Sequence, residues 1–207
     1  MQKIEQESIK QFDLWAKFHQ IFSPPFYFLN KRIAKIVNPL KNTSVLDIGC
    51  GWGLLLKELL LMNRGLKLYG IDISPKMVSV AKLKFSSADT VEILEGSADK
   101  LPYENRSFEY VTCILSFHHH PNSFNSLKEM FRVLKPGGKL FLLDPFTNGF
   151  IAKFMIFVSA IVFQEKDVHI YTKENMLRMF EEVGFTNIQQ QVCTFYHQLI
   201  IGEKKLQ

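Results

Sequence analysis

A short apolar strand, Ser44–Ile48, runs straight into glycines at alternate positions, Gly49, Gly51 and Gly53, and then into a Leu-rich helix over Leu54–Met62. Glycine has no side chain to block approach, so such a loop brings backbone N–H groups and a helix start against a ligand. The same order of elements then repeats. Lys67–Ile73 reads as a strand, with Ser74 and Pro75 as N-cap and first residue of a helix over Lys76–Phe85. Strands follow at Val91–Glu95 and Phe108–Leu115, then a helix over Ser123–Leu134 stopped by Pro136-Gly137-Gly138, and a strand over Lys139–Asp144. Thr172 caps a helix that ends at Gly184. Alternation of this kind predicts a parallel sheet with helices on both faces. The last two strands, Phe185–Val192 and Phe195–Ile201, the second ending at Gly202, have no helix between them. They should form a hairpin and make one strand antiparallel, giving a three-layer α/β sandwich on a seven-stranded, mostly parallel sheet.

Two segments stand outside the alternation. Residues 1–42 read as helical and aromatic, with a break at Pro24-Pro25, and are expected to form a lid. Residues 145–171 interrupt the sheet after its fifth strand with the nearly continuous apolar run Phe150–Phe163. Both are placed to cover the carboxyl ends of the strands, where open α/β sheets bind ligands. Residues 43–207 should form the main domain, packed with the lid into a single globular unit. Phe150–Phe163 is short for a membrane span and carries Lys153, so a buried or interfacial helix is expected.

Other classes recede on composition. The net charge of +5 is mild and its Lys and Arg are dispersed, unlike a nucleic-acid footprint. Cys50, Cys113 and Cys193 are an odd number without short spacing, which fits neither a disulfide framework nor a zinc site; the reducing cytoplasm is the expected compartment. The opening Met1-Gln2-Lys3-Ile4-Glu5 is too charged for a signal peptide.

The glycine loop departs from the dinucleotide fingerprint, because the third small residue would fall at position 54, which is Leu54. No Gly-Lys-Ser/Thr follows, so a P-loop is excluded. Asp72 closes the second strand about twenty residues on, where a carboxylate can accept both ribose hydroxyls of an adenosine. Asp47 stands just before the glycines, where it would attract an ammonium group and repel a phosphate. A phosphate-free, zwitterionic adenosine cofactor fits this pair.

In order and spacing, VLDIGCGWG (45–53), GIDIS-P-x-M (70–77), EGSADKLPYENRSFEYV (95–111) and RVLKPGGKLFLLD (132–144) resemble the class I methyltransferases, particularly the group that includes ubiquinone and menaquinone biosynthesis enzymes. The resemblance implies a Rossmann-like fold and S-adenosyl-L-methionine as cofactor. It implies that Asp47, Gly49, Cys50 and Gly51 hold the methionine part, that Asp72 holds the ribose, and that Ile73 and Met77 flank the adenine. Ser97, Ala98 and Asp99 would receive the adenine amino group, and Leu115 would line the same site. Phe12-Asp13-x-Trp15-Ala16-x-Phe18 resembles the family's opening helix, although Phe18-His19 replaces its usual Tyr-Asp pair.

Transfer from a sulfonium is an in-line displacement, and the protein's work is positioning, desolvation and, for some acceptors, a general base. His118 and His119, directly after the fourth strand, are the candidate catalytic residues; adjacent residues cannot all face one point. Trp15, Phe18, Phe146, His169 and Tyr171 are candidate acceptor contacts, with His197 a further one, and no metal is expected. The Asn/Asp-Pro-Pro-aromatic motif of amino-methylating nucleic-acid enzymes is missing after the fourth strand, where Leu115-Ser116-Phe117-His118 stands instead. A small apolar or aromatic acceptor (quinone, polyketide or lipid-like) methylated at carbon or oxygen is expected. A macromolecule methyltransferase acting on RNA or protein, and a cofactor-binding protein without turnover, stay open. The apolar insert can serve as acceptor cap, as a core or homodimer contact, or as a transient membrane-surface helix.

Overall fold

The computed structural model describes Ile9, Asp13 and residues 19–163 and 168–206. Seven strands form one sheet: β1 (Ser44–Ile48), β2 (Lys67–Asp72), β3 (Val91–Glu95), β4 (Phe108–Ile114), β5 (Leu134–Pro145), β6 (Phe185–Val192) and β7 (His197–Lys204). Their order is β3-β2-β1-β4-β5-β7-β6. Every neighbouring pair from β3 to β5 is parallel, whereas β7 runs antiparallel to both β5 and β6. One reversed strand in a terminal hairpin is the arrangement the sequence predicts.

Helices α1 (His19–Val37), α2 (Leu54–Met62), α3 (Pro75–Lys84), α4 (Ser123–Val133), α5 (Phe150–Phe163) and α6 (Lys173–Val183) complete the described elements, with a single 3₁₀ turn at Phe117–His119. Ile33, Ala34 and Val37 of α1, Leu55, Leu56 and Leu59 of α2, and Val78 and Ala81 of α3 bury one face of the sheet. Leu127, Met130 and Val133 of α4, with Met176 and Phe180 of α6, bury the other. Strands Val45–Ile48 and Leu140–Leu143 are buried on both sides, which is why they read as apolar runs without alternation.

Three local expectations need correction. Residues 19–37 form one helix through Pro24-Pro25, where the sequence predicts a break; packing of Ile33, Ala34 and Val37 on the sheet overrides the local preference. The fifth strand begins at Leu134 rather than Lys139. Leu134 pairs with Phe108, and the Pro136-Gly137-Gly138 turn is absorbed as a shift in register before Tyr110 pairs with Lys139. The last strand begins at His197 rather than Phe195 and runs through Gly202 to Lys204. Gly202 is a packing glycine and not a terminator: a Cβ there would stand 2.8 Å from the rings of Phe180 and Phe185.

Candidate functional site at the carboxyl ends of the strands

The strand order reverses at β1, between β2 and β4, and the carboxyl ends of these strands with that of β5 carry the polar groups. The glycine loop is fastened to β2 by two hydrogen bonds, from the Gly49 and Cys50 N–H groups to the Ile71 carbonyl at 2.8 and 3.1 Å. Its glycines have different reasons. Gly49, at φ +67°, lies so close to Ser116 after β4 that a Cβ would overlap the Ser116 side chain. Gly53, at φ +74°, is pressed against Phe85. Gly51, at φ +51°, has nothing within 4 Å of where a Cβ would be and so presents open backbone. The Cys50 side chain is buried over Gly70 of β2, leaving its main chain to the loop. Lys84 donates to the Trp52 carbonyl and ties the loop to α3; its ammonium is pushed down to about 8 by burial and by Lys57.

Asp72 organises this region. One oxygen accepts the Gly51 N–H at 2.8 Å and the other the Ser74 N–H at 2.9 Å. A carboxylate has about four acceptor sites, and the Ile73 N–H also acts on this one, so capacity is left for a further donor. Burial raises its carboxyl to about 6, against the pull of these N–H groups. Asp47, 3% exposed, accepts the Thr112 hydroxyl at 2.7 Å. Burial, helped by the charge of Asp72, pushes it up to about 7. Two desolvated carboxylates beside an open glycine backbone form a site that favours a cationic ligand carrying hydroxyl donors.

Ser74 caps α3, accepting the Met77 N–H at 3.2 Å, and donates its hydroxyl to Asp13 at 2.7 Å. Lys76 stands 3.4 Å from the same carboxylate. Burial opposes ionisation of Asp13, but these partners outweigh it and hold the group below 3.8. Asp13 is thereby held at Ser74, two residues after Asp72. Ile73 is half-buried, and Met77 is buried against Trp52. Ser97 receives the Asp99 N–H at 3.3 Å, Ala98 is buried, and Asp99 accepts the Ser126 hydroxyl of α4 with one oxygen. Leu115 closes β4 at φ +54°, a conformation costing about 1–2 kcal/mol for a residue with a side chain.

Beyond Leu115 lie the histidines. His118 Nδ1 is 2.8 Å from Asp144 Oδ1 at the end of β5, both side chains being nearly or fully buried. Burial raises the Asp144 carboxyl and His118 counteracts it. His119 stacks on His118 with ring centroids 4.0 Å apart, and burial with the two neighbouring histidines holds it well below its ordinary 6.5. His120 contacts the Ser116 hydroxyl at 3.2 Å and is lowered to about 3 by burial. His197 contacts Thr194 at 2.8 Å and falls to about 4 for the same reason, assisted by His118. Among the contacts described for this group, the His118 pairing is with a carboxylate.

The remaining expected acceptor contacts differ in exposure. Phe146 is buried, under the Lys173 ammonium. The His169 side chain is exposed, although its N–H reaches the His118 carbonyl at 2.8 Å. Tyr171 is half-buried beside Phe117. Trp15 and Phe18 lie outside the described residues. Asp144 and Thr112 escape a reading of spacing, because each meets its partner only across strands. The signal was a carboxylate at the end of the strand next to the histidines. Among the described residues no group of three or more His, Cys, Asp or Glu is arranged to hold a metal.

Residues 46–142 match the family described as a methyltransferase domain. Demethylmenaquinone methyltransferase of Staphylococcus aureus strain JH9 is 33% identical over 181 residues, 77% of this chain and 74% of that one. The chain belongs to the class I S-adenosylmethionine-dependent methyltransferases. A Haloferax volcanii putative methyltransferase, solved in complex with the Trm112 methyltransferase activator, superposes with a TM-score of 0.81 at 20% identity, covering 96% of this chain and 97% of that one. Haemonchus contortus phosphoethanolamine N-methyltransferase 2, solved with S-adenosyl-L-methionine, gives 0.73 at 19% identity over 86% of this chain and 52% of that one. At such identities these two neighbours establish the shared methyltransferase fold. A cation bearing hydroxyl donors would meet acceptors in Asp47 and Asp72, beside the open backbone at Gly51.

Proposed function

We propose that this methyltransferase moves a methyl group to a small apolar or aromatic acceptor bearing an ionisable hydroxyl, with His118 as general base. The buried His118–Asp144 pair carries the reading. With Asp144 ionised, Nδ1 holds the proton and Nε2 is left basic, the tautomer a base needs. Removing a phenolic proton raises electron density on the oxygen and on the adjacent ring carbons, so one base serves O- and C-methylation alike. Asp144 fixes the ring and stabilises the imidazolium that forms.

S-adenosyl-L-methionine, when bound, supplies the electrophilic methyl group. Asp47 would hold its ammonium and Asp72 its ribose hydroxyls, while the open backbone at Gly51 permits close approach. Ile73 and Met77 would flank the adenine, and Asp99 keeps one carboxylate oxygen for its amino group. Asp13, held by Ser74 and Lys76, stands beside this donor site, while the rest of residues 10–18 lies outside the described residues. The activity in the name of the S. aureus relative supports a quinol-like acceptor.

The test is transfer of labelled methyl from S-adenosylmethionine to a water-soluble reduced naphthoquinone. Label should enter the organic-extractable product, and His118→Asn should lower kcat by about 10²–10⁴-fold with S-adenosylhomocysteine affinity unchanged. Asp144→Asn should also lower kcat, by favouring the wrong tautomer. Undiminished turnover in His118→Asn, or label entering RNA instead, would overturn the assignment.

A further inference from the structure

Helix α5 presents Phe150, Phe154 and Phe157 to solvent at positions i, i+4 and i+7, one continuous face. The turn between β6 and β7 exposes Val192 and Phe195, and α1 exposes Phe28; all six side chains are between 53% and 84% exposed. These elements meet at one end of the sheet. Pro145 pairs with His197, and the Phe146 N–H donates to the Tyr196 carbonyl at 2.9 Å, so the hairpin turn adjoins the chain that leads into α5. Cys193 in the same turn packs against the core cluster that includes Ile33 of α1, and the Arg32 charge acts on its thiol. That end is also the carboxyl end of β5, where Asp144 holds His118.

The described segments that carry these aromatics hold charges of one sign. Residues 27–37, 150–163 and 192–197 carry Lys31, Arg32, Lys35 and Lys153 and no Asp or Glu. All four cationic residues are exposed. Lys31, Arg32 and Lys35 follow Phe28 at i+3, i+4 and i+7, and Lys153 lies between two of the exposed phenylalanines. Soluble proteins rarely leave a contiguous apolar face to water, and phenylalanine bordered by lysine is the composition of a surface lying in a bilayer interface. At 14 residues α5 is about 21 Å long, too short to cross and long enough to lie flat. No helix among the described residues is long and apolar enough to cross a membrane.

We propose that this rim docks on an anionic bilayer, with α5 in the interfacial plane and the neighbouring carboxyl-end site receiving its acceptor from the lipid phase. Its purpose rests on the apolar-acceptor reading, but the docking itself does not. An anionic headgroup layer is the occupant that matches four cations without a carboxylate, whereas a second copy of the same face would bring like charges together.

The experiment is co-sedimentation of the full chain with vesicles of phosphatidylglycerol and phosphatidylcholine, without donor or acceptor. Binding should be at least tenfold stronger than to phosphatidylcholine alone and should weaken as salt rises from 0.05 to 0.5 M. Replacing Phe150, Phe154 and Phe157 by serine should reduce it at least tenfold while leaving S-adenosylhomocysteine affinity intact. Arg32→Glu combined with Lys153→Glu, which touches no buried side chain, should do the same. No binding to anionic vesicles, or equal binding by both variants, would overturn the proposal. So would a dimer in sedimentation equilibrium that the serine variant disperses without any vesicle binding. Because the assay contains no acceptor, its failure leaves turnover on the soluble naphthoquinol as the separate test of the acceptor class.

Discussion

Replacing Asp47 by asparagine should stabilise the unliganded fold while weakening its hold on the methyl donor. Asp47 is buried, with Thr112 as its hydrogen-bond donor and Asp72 as a like-charged neighbour. Asparagine keeps an oxygen for the Thr112 hydroxyl and removes the charge. Burial and Asp72 raise the folded carboxyl to about 7 from an ordinary 3.8. The folded protein therefore keeps a proton that the unfolded chain gives up near pH 4. Parent stability falls as pH rises from 3.8 towards 7 and is level above that, whereas the asparagine variant is spared the loss. At about 1.4 kcal/mol for each tenfold change in acidity, the interval is worth about 4 kcal/mol at pH 8 and under about 2 kcal/mol at pH 5. These are ceilings, because Asp72 shares in the repulsion. For a chain of this size about 2–4 °C accompanies each kcal/mol, so Asp47→Asn should melt roughly 5–15 °C above the parent at pH 8. That gap should shrink by more than half at pH 5. Differential scanning calorimetry without ligand measures it, and titration with S-adenosylmethionine at pH 8 should show at least a tenfold loss of affinity. A variant that melts at or below the parent at pH 8, or a gap independent of pH, would refute the account.

Asp72→Ala should abolish S-adenosylhomocysteine binding in calorimetry and shift the melting temperature by only a few degrees, since the freed Gly51 and Ser74 N–H groups are offset by loss of a desolvated charge. Unchanged affinity would mean the ribose is held elsewhere. The two loop glycines should separate fold from function: Gly49→Ala collides with Ser116 and should lower the melting temperature by more than about 5 °C, while Gly51→Ala meets open space. Gly51→Ala should cost about 1–2 kcal/mol for its positive φ and lose donor affinity more than tenfold. Gly202→Ala crowds Phe180 and Phe185 and should destabilise by about 1–3 kcal/mol without changing donor affinity, as melting and calorimetry would report.

The split between what is legible in the chain and what is not follows the range of the interactions. The glycine loop, Asp47 and Asp72 are legible because a strand, a turn and a helix start are contiguous, and because Asp72 follows from one strand-helix-strand unit. The seven strands and the reversed β7 are legible for the same local reason, the lack of a helix between the last two. Where local preference competes with packing, the reading slips. Gly202 looks like a strand terminator until Phe180 and Phe185 are seen to need its space, and Pro24-Pro25 looks like a break until α1 is packed on the sheet. The chemistry is the least legible part. The sequence narrows three adjacent histidines to His118 and His119 without separating them, and the carboxylate that pairs with His118 is 26 residues away. Only the parallel pairing of Ile114 with Leu143 brings the two strand ends side by side. The proposed base depends on strand pairing, so one substitution at the end of β5 would remove its partner while the glycine loop, Asp47 and Asp72 stay intact. Within this fold, donor identity is written locally in the loop after β1, and acceptor chemistry is written in contacts between strand ends and in the surface that borders them.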